Sequence, residues 1–123
     1  MEKDIYKEIA ENLVTVLPEN WEKVCLYCYI SDYAYQFSFH VKIGGKYIQC
    51  FNLEEVYGIS EESVLECFDK LHDILLPDYE EKKFFVMTYI LESSGKFATE
   101  YDYSDSVEDP IAYKLDWKKK YLV

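Results

Sequence analysis

The chain has 123 residues, half of them hydrophobic, and its 24 Asp and Glu against 13 Lys and no Arg give a formal net charge of −11. A chain of this length and composition can bury a core without a disulfide or metal staple, so we predict one domain over residues 1–123 rather than a disordered tail or a linker. The charge disfavours direct binding of nucleic acid or anionic lipid, which need clustered basic side chains, and suits either a basic partner or simple solubility.

The first half of the chain predicts one helix followed by three strands. Apolar side chains recur at helical spacing over residues 3–17, and Pro18 then stops the helix. The strands are rich in Tyr, Phe, Val and Ile and occupy residues 23–30, 34–43 and 47–51. Gly44 and Gly45 favour a two-residue hairpin turn between the second and third strands, because both can adopt positive φ.

The second half predicts a helix, two strands and a closing helix. Ser60 is a good N-cap for a helix that we expect to end near Leu76, because Pro77 follows it. Two strands, residues 83–91 and 96–103, are joined by a hairpin loop that contains Gly95. Asp109 and the proline after it begin a last helix that runs to residue 122 and ends among lysines.

The predicted order of elements is therefore α-β-β-β-α-β-β-α. Strands that meet in hairpins, with helices before, between and after them, are typical of an α+β domain. We predict one antiparallel five-stranded sheet packed against helices, and we expect those helices to cover one face of it.

The four cysteines include a C-x-x-C pair, Cys25 and Cys28, a spacing that zinc sites and redox pairs use. In a strand, a separation of three residues sends the two side chains to opposite faces of the sheet, so they cannot bind one ion. Cys50 and Cys67 are isolated. We predict four free, mostly buried thiols and neither a metal site nor a cofactor. Residues 101–109 have the composition of a calcium loop but lack its phase and its Gly, which favours a strand end and a polar turn.

No pattern in the chain predicts catalysis. The two His and four Cys occur without a nucleophile elbow, and no Gly-rich phosphate loop is present. The first residues carry no apolar signal region, and the longest apolar stretches are only a few residues long. We therefore predict no catalytic residues, no membrane contact and a cytoplasmic location.

The second predicted helix carries a row of carboxylates opposite a row of apolar residues. The carboxylates follow the spacing i, i+4, i+7, i+11, and the apolar series Val64, Phe68, Leu71 and Leu75 repeats it two residues later. Two residues correspond to a rotation of about 200°, so the two rows lie on opposite sides of the helix. Residues 54–81 contain ten acids and one Lys, for a net charge of −9. The row is either a solvated face or a docking face for a basic partner. The candidate partner-binding residues are Glu54, Glu55, Glu62, Glu66, Asp69, Asp73, Glu100 and Asp102.

Four short motifs, in order along the chain, resemble those of YezG/EsaG-type immunity proteins. They are residues 17–21 (LPENW), 91–97 (LESSGKF), 100–103 (EYDY) and 117–122 (WKKKYL). The likeness spans nearly the whole chain, although residues 31–60 match only in pattern. The resemblance implies a cytoplasmic antitoxin of a Gram-positive polymorphic toxin system that binds a cognate toxin domain. In this family the toxin is often a nuclease exported by the type VII secretion pathway.

The residues and the resemblance together predict an immunity protein that inhibits a basic toxin domain by tight protein-protein binding and is a monomer or weak homodimer when free. Two other interpretations stay open. One is a structural or adaptor domain that self-associates through its sheet edge and its many tyrosines. The other is a small hydrolase with paired carboxylates, which a pocket with strongly shifted carboxylate pKa values would support.

Overall fold

A computed structural model of the protein describes residues 4–103 and 109–122. The helices are α1 (Ile5–Val14), α2 (Leu53–Tyr57), α3 (Glu61–Lys82) and α4 (Pro110–Tyr121). The strands are β1 (Lys23–Ile30), β2 (Tyr35–Ile43), β3 (Lys46–Gln49), β4 (Val86–Glu92) and β5 (Phe97–Asp102). The predicted α+β fold and its order of elements are confirmed, and the short helix α2 is an addition to them.

The five strands form one antiparallel sheet in the order β3-β2-β1-β4-β5. β1 lies at the centre, where Leu26 is opposite Phe39 of β2 and Tyr89 of β4. The predicted turn between β2 and β3 is present, with φ of 60° at Gly44 and 78° at Gly45. A side chain at either position would be strained, because L-residues rarely adopt such angles.

The main core lies between one face of the sheet and helices α1 and α3. Ile9 and Leu13 of α1 and Leu71 and Leu75 of α3 are completely buried there. Burying each such side chain contributes about 1.5–3 kcal/mol relative to leaving it exposed. The apolar row predicted for α3 is therefore the side of this helix that packs.

The expectation that helices cover only one face of the sheet is wrong, because α4 lies on the opposite face. Trp117 of α4 is buried against Cys25, Tyr27 and Val86. Its indole Nε1–H donates a hydrogen bond of 2.9 Å to the Thr88 hydroxyl. The central strand β1 is buried continuously from Val24 to Cys28, which is typical of a strand covered on both sides.

The predicted stop of the second helix at Leu76 is also wrong, since α3 continues through Pro77 to Lys82. Proline in a helix interior removes a hydrogen bond, at a cost of about 3 kcal/mol. Pro77 lies on the exposed side, while Leu75 and Tyr79 on either side of it are buried in the core. Burial of the helix beyond the proline therefore outweighs the local penalty, and Lys83, with φ of 53°, ends α3.

Other element boundaries differ from the predicted ones by a few residues. α1 ends at Val14 rather than at residue 17, because the chain tightens into a turn in which Leu17 N–H donates to the Val14 carbonyl at 3.4 Å. Its predicted start at residue 3 lies outside the described residues. β3 ends at Gln49, whose side chain accepts from Phe51 N–H at 2.8 Å and begins the single turn Cys50–Asn52. β4 begins at Val86 rather than at residue 83, because Lys83 still caps α3.

All four cysteines are free and buried, as predicted. Cys28 belongs to the main core, whereas Cys25 lies under α4 on the other face of the sheet. Burial raises the pKa of both thiols. The opposite orientation of the C-x-x-C pair follows from the two-residue period of β1.

Candidate partner-binding surface

The acidic face of α3 consists of Glu62, Glu66, Asp69 and Asp73. Ser60 sets the start of the helix, since its hydroxyl accepts from Ser63 N–H at 3.2 Å. From that start, helical periodicity places the four carboxylates on the exposed side, opposite the buried apolar row. The structure thus brings these four predicted residues together on one surface that can accept charge-assisted hydrogen bonds from ammonium and guanidinium groups.

Tyr35 joins the acidic face from β2. Its hydroxyl donates a hydrogen bond of 2.7 Å to Asp69 Oδ1, and this bond raises the pKa of Tyr35. The Tyr35 ring stacks on His72, with centroids 4.0 Å apart and an interplanar angle of 16°. The arrangement restrains both Asp69 and an aromatic side chain that is 39% exposed. Sequence reasoning could not choose this tyrosine, because β2 and α3 meet only in the folded chain.

Glu54 and Glu55 lie on α2, beside the start of α3. Glu54 Oε2 accepts from the backbone N–H of Glu61 at 3.1 Å, so this carboxylate also ties α2 to α3. A carboxylate at this position is favourable because the N-terminus of a helix carries partial positive charge. Glu55 is exposed. Both residues extend the negative surface beyond the acidic face.

Glu100 and Asp102 occupy a different surface, on the side of β5 that faces α4. Glu100 Oε2 accepts from Lys120 Nζ at 3.2 Å and from the Tyr121 hydroxyl. Asp102 Oδ2 accepts from the Tyr113 hydroxyl at 2.6 Å. The bonds from Tyr121 and Lys120 lower the pKa of Glu100. These two candidates therefore help to hold α4 on the sheet and are not grouped with the acidic face.

Two of the grooves on the surface of the described residues have predicted partner-binding residues in their walls. One, of about 460 Å³, lies between β5 and α4 and contains Glu100 and Asp102. The other, of about 680 Å³, lies between α1 and the second half of α3, where Asp73 and Asp78 are on its wall. The pKa of Glu100, in the first groove, is lowered. A carboxyl group that acts as a general acid in a hydrolase needs a raised pKa instead.

His40 is a buried titratable side chain, and its surroundings keep the imidazole neutral near pH 7. It is 9% exposed, and its pKa is lowered to about 4, mainly by burial and also by the charges of Lys118 and Lys114.

Within residues 4–103 and 109–122, no group of three or more His, Cys, Asp or Glu side chains could hold a metal ion. No helix in this part of the chain is both long enough and apolar enough to cross a bilayer. Residues 104–108, which include most of the polar turn weighed against a calcium loop, lie outside the described residues.

Four exposed apolar side chains lie on α3 or in the segment just before it, and sequence reasoning missed them. They are Phe51, Val56, Tyr57 and Leu65, with exposed fractions of 37%, 59%, 40% and 48%. Three of them lie in or beside the unpredicted helix α2. Leu65 carried a weak signal, because it is an apolar residue at a position of α3 that lies outside the buried row.

Comparison with known proteins identifies a family and a curated relative that this chain resembles. The sequence profile of the YezG-like family, described as "Immunity protein YezG-like", matches residues 2–123. Immunity protein YezG of Bacillus spizizenii is 28% identical over 132 aligned positions, which cover 98% of this chain and 77% of that protein. The chain belongs to the YezG-like immunity protein family, as its motifs predicted.

Proposed function

We propose that this member of the YezG-like immunity protein family neutralises a basic nuclease toxin domain, exported by the type VII secretion pathway, by binding it in the cytoplasm of the producing cell. The observation that carries the proposal is the exposed acidic face of α3, together with Glu54 and Glu55 on α2. Inhibition is by tight one-to-one binding, and the protein performs no catalysis of its own.

Charge complementarity supports a nuclease as the partner. A nuclease domain that grips phosphates carries clustered Lys and Arg, and the carboxylates of α3 and α2 form a complementary surface. Like charges at these helical spacings cost roughly 0.2–0.5 kcal/mol per pair in the free protein. A basic partner relieves that repulsion on binding, so the acidic face favours association electrostatically.

The direct test is co-expression with the C-terminal domain of the nearest encoded large toxin, followed by pull-down and a nuclease assay at two salt concentrations. We expect a stable one-to-one complex without nuclease activity, which associates more slowly at the higher salt concentration. If no complex forms and the protein instead self-associates, the structural or adaptor interpretation replaces this one.

A charge-reversal variant tests whether the acidic face is the docking surface. The triple change Glu62→Lys, Glu66→Lys and Asp73→Lys is expected to slow association about tenfold and to flatten its salt dependence. The matched control reverses three exposed carboxylates elsewhere, Glu19, Glu92 and Asp116, and so changes the net charge equally. If the control slows association as much as the α3 variant, total charge rather than the acidic face governs binding.

A further inference from the structure

We infer that the toxin is held by an apolar strip beside the acidic face, formed by Phe51, Val56, Tyr57 and Leu65. The inference rests on the proposed function and adds to it the chemistry of the partner surface. That surface presents an apolar or aromatic side chain surrounded by Lys and Arg. The carboxylates then govern how quickly the partner arrives, and the apolar strip governs how long it stays.

The four residues lie in the turn Cys50–Asn52, in α2 and on the first turns of α3. The ring of Phe51 contacts the ring of Phe68 at a centroid distance of 6.1 Å, and Leu65 precedes Phe68 by one helical turn. Glu54 Oε2 accepts from Glu61 N–H at 3.1 Å, which holds α2, with Val56 and Tyr57, against the start of the helix. The apolar strip therefore runs from α2 along the first turns of α3.

Carboxylates border this strip closely. Glu62 and Asp69 are the i−3 and i+4 neighbours of Leu65, so both lie on the helix surface next to it. Glu54 and Glu55 add two further exposed carboxylates in α2. An exposed apolar centre with a charged rim is the usual anatomy of a protein interface, in which desolvated apolar contacts supply most of the binding energy.

The backbone that carries the strip is tied to the rest of the fold in the free protein. Leu53, the first residue of α2, is completely buried. The side chain of Gln49 accepts from Phe51 N–H at 2.8 Å, and Gly58, with φ of 73°, closes α2. Because the strip is held in place before binding, little conformational entropy is lost when a partner covers it.

The charges identify the occupant as a basic partner rather than a second copy of this chain. Two copies that met through this surface about a two-fold axis would place the carboxylates of one against those of the other. Such like-charge contacts oppose association. On a toxin surface with an apolar side chain surrounded by Lys and Arg, the basic groups pair with the carboxylates and the apolar side chain packs on the apolar strip.

The experiment measures binding of the full-length protein to the purified C-terminal toxin domain by surface plasmon resonance. The double variant Val56→Ala and Leu65→Ala removes two exposed side chains, so its fold is retained, which circular dichroism checks. We expect its dissociation rate to rise about tenfold, with an association rate within about twofold of wild type and an unchanged salt dependence. The matched control is Ile111→Ala and Leu115→Ala on α4, which are 74% and 51% exposed and are expected to bind like wild type.

The outcomes separate this inference from the proposed function. If the wild-type protein does not bind the toxin domain, the proposed function fails and the inference fails with it. If the wild type binds and the double variant dissociates at the same rate, only the apolar strip is refuted. An equal effect of the α4 control would show that the faster dissociation is not specific to the apolar strip, and would overturn the inference. Sedimentation of the free protein as a dimer that the double variant abolishes would make a second copy the occupant, and would overturn the inference.

Discussion

Trp117 is expected to be the residue that holds α4 on the sheet. It is 7% exposed, whereas Ile111 and Leu115 of the same helix are 74% and 51% exposed. Its ring packs edge-on against Tyr27, with centroids 5.4 Å apart, and its Nε1–H donates to the Thr88 hydroxyl at 2.9 Å. We predict that Trp117→Ala is the most destabilising substitution in α4.

The expected loss of unfolding free energy follows from the burial of Trp117 and from its hydrogen bond to Thr88. A buried Trp removes up to about 250 Å² from water, and Trp→Ala changes in cores cost about 3–5 kcal/mol. Because α4 lies at the surface and can settle into the space, we expect about 3 kcal/mol for Trp117→Ala. Trp117→Phe keeps most of the apolar contact but leaves Thr88 without its donor, so we expect about 1–1.5 kcal/mol.

Urea unfolding followed by far-UV circular dichroism measures both values. The matched control Leu115→Ala removes an exposed side chain from the same helix and is expected to change the free energy of unfolding by less than about 0.5 kcal/mol. If Trp117→Ala unfolds like this control, Trp117 does not anchor α4. A separate early transition in the Trp117 variant would show that α4 detaches before the sheet unfolds, and the loss would then be local.

Two further predictions concern polar groups that are buried or half-buried. The pKa of His40 is about 4 in the folded protein and near 6.5 when unfolded, so the unfolded state binds the proton first. Lowering the pH from 7 to 4 should therefore remove up to about 3 kcal/mol of stability through His40, and urea unfolding of His40→Asn should lack this part of the pH dependence. The Tyr101 hydroxyl lies 2.8 Å from that of Tyr6 and donates to Asp78 at 3.0 Å, so Tyr101→Phe should cost about 1–3 kcal/mol of unfolding free energy. Tyr103→Phe, at a 56% exposed position, is the control, and equal stability of the two variants would contradict a role for this half-buried network.

The motifs that carry the family resemblance are partly structural. In the C-terminal motif, Trp117 anchors α4, and Lys120 and Tyr121 bind Glu100. Motif matching therefore identified the family while pointing to residues that hold the fold together. The acidic face came instead from charge and helical spacing, which are properties of the exposed surface.

The residue sequence alone determined the features that depend on neighbours along the chain. The turn at Gly44 and Gly45, the caps at Ser60 and Asp109, and the opposed acidic and apolar rows of α3 are confirmed. Turn chemistry, capping and helical periodicity act within one or two turns, so each could be predicted without knowing what packs nearby.

Only the tertiary structure decided which surfaces these elements share. Burial of Leu75 and Tyr79 carries α3 through Pro77, and the bond between Trp117 and Thr88 joins residues that are 29 positions apart. The separation of Glu100 from the acidic face follows in the same way, since β5 turns that side chain towards α4. Contacts between distant segments determine these features, and the local propensities of the residues do not predict such contacts.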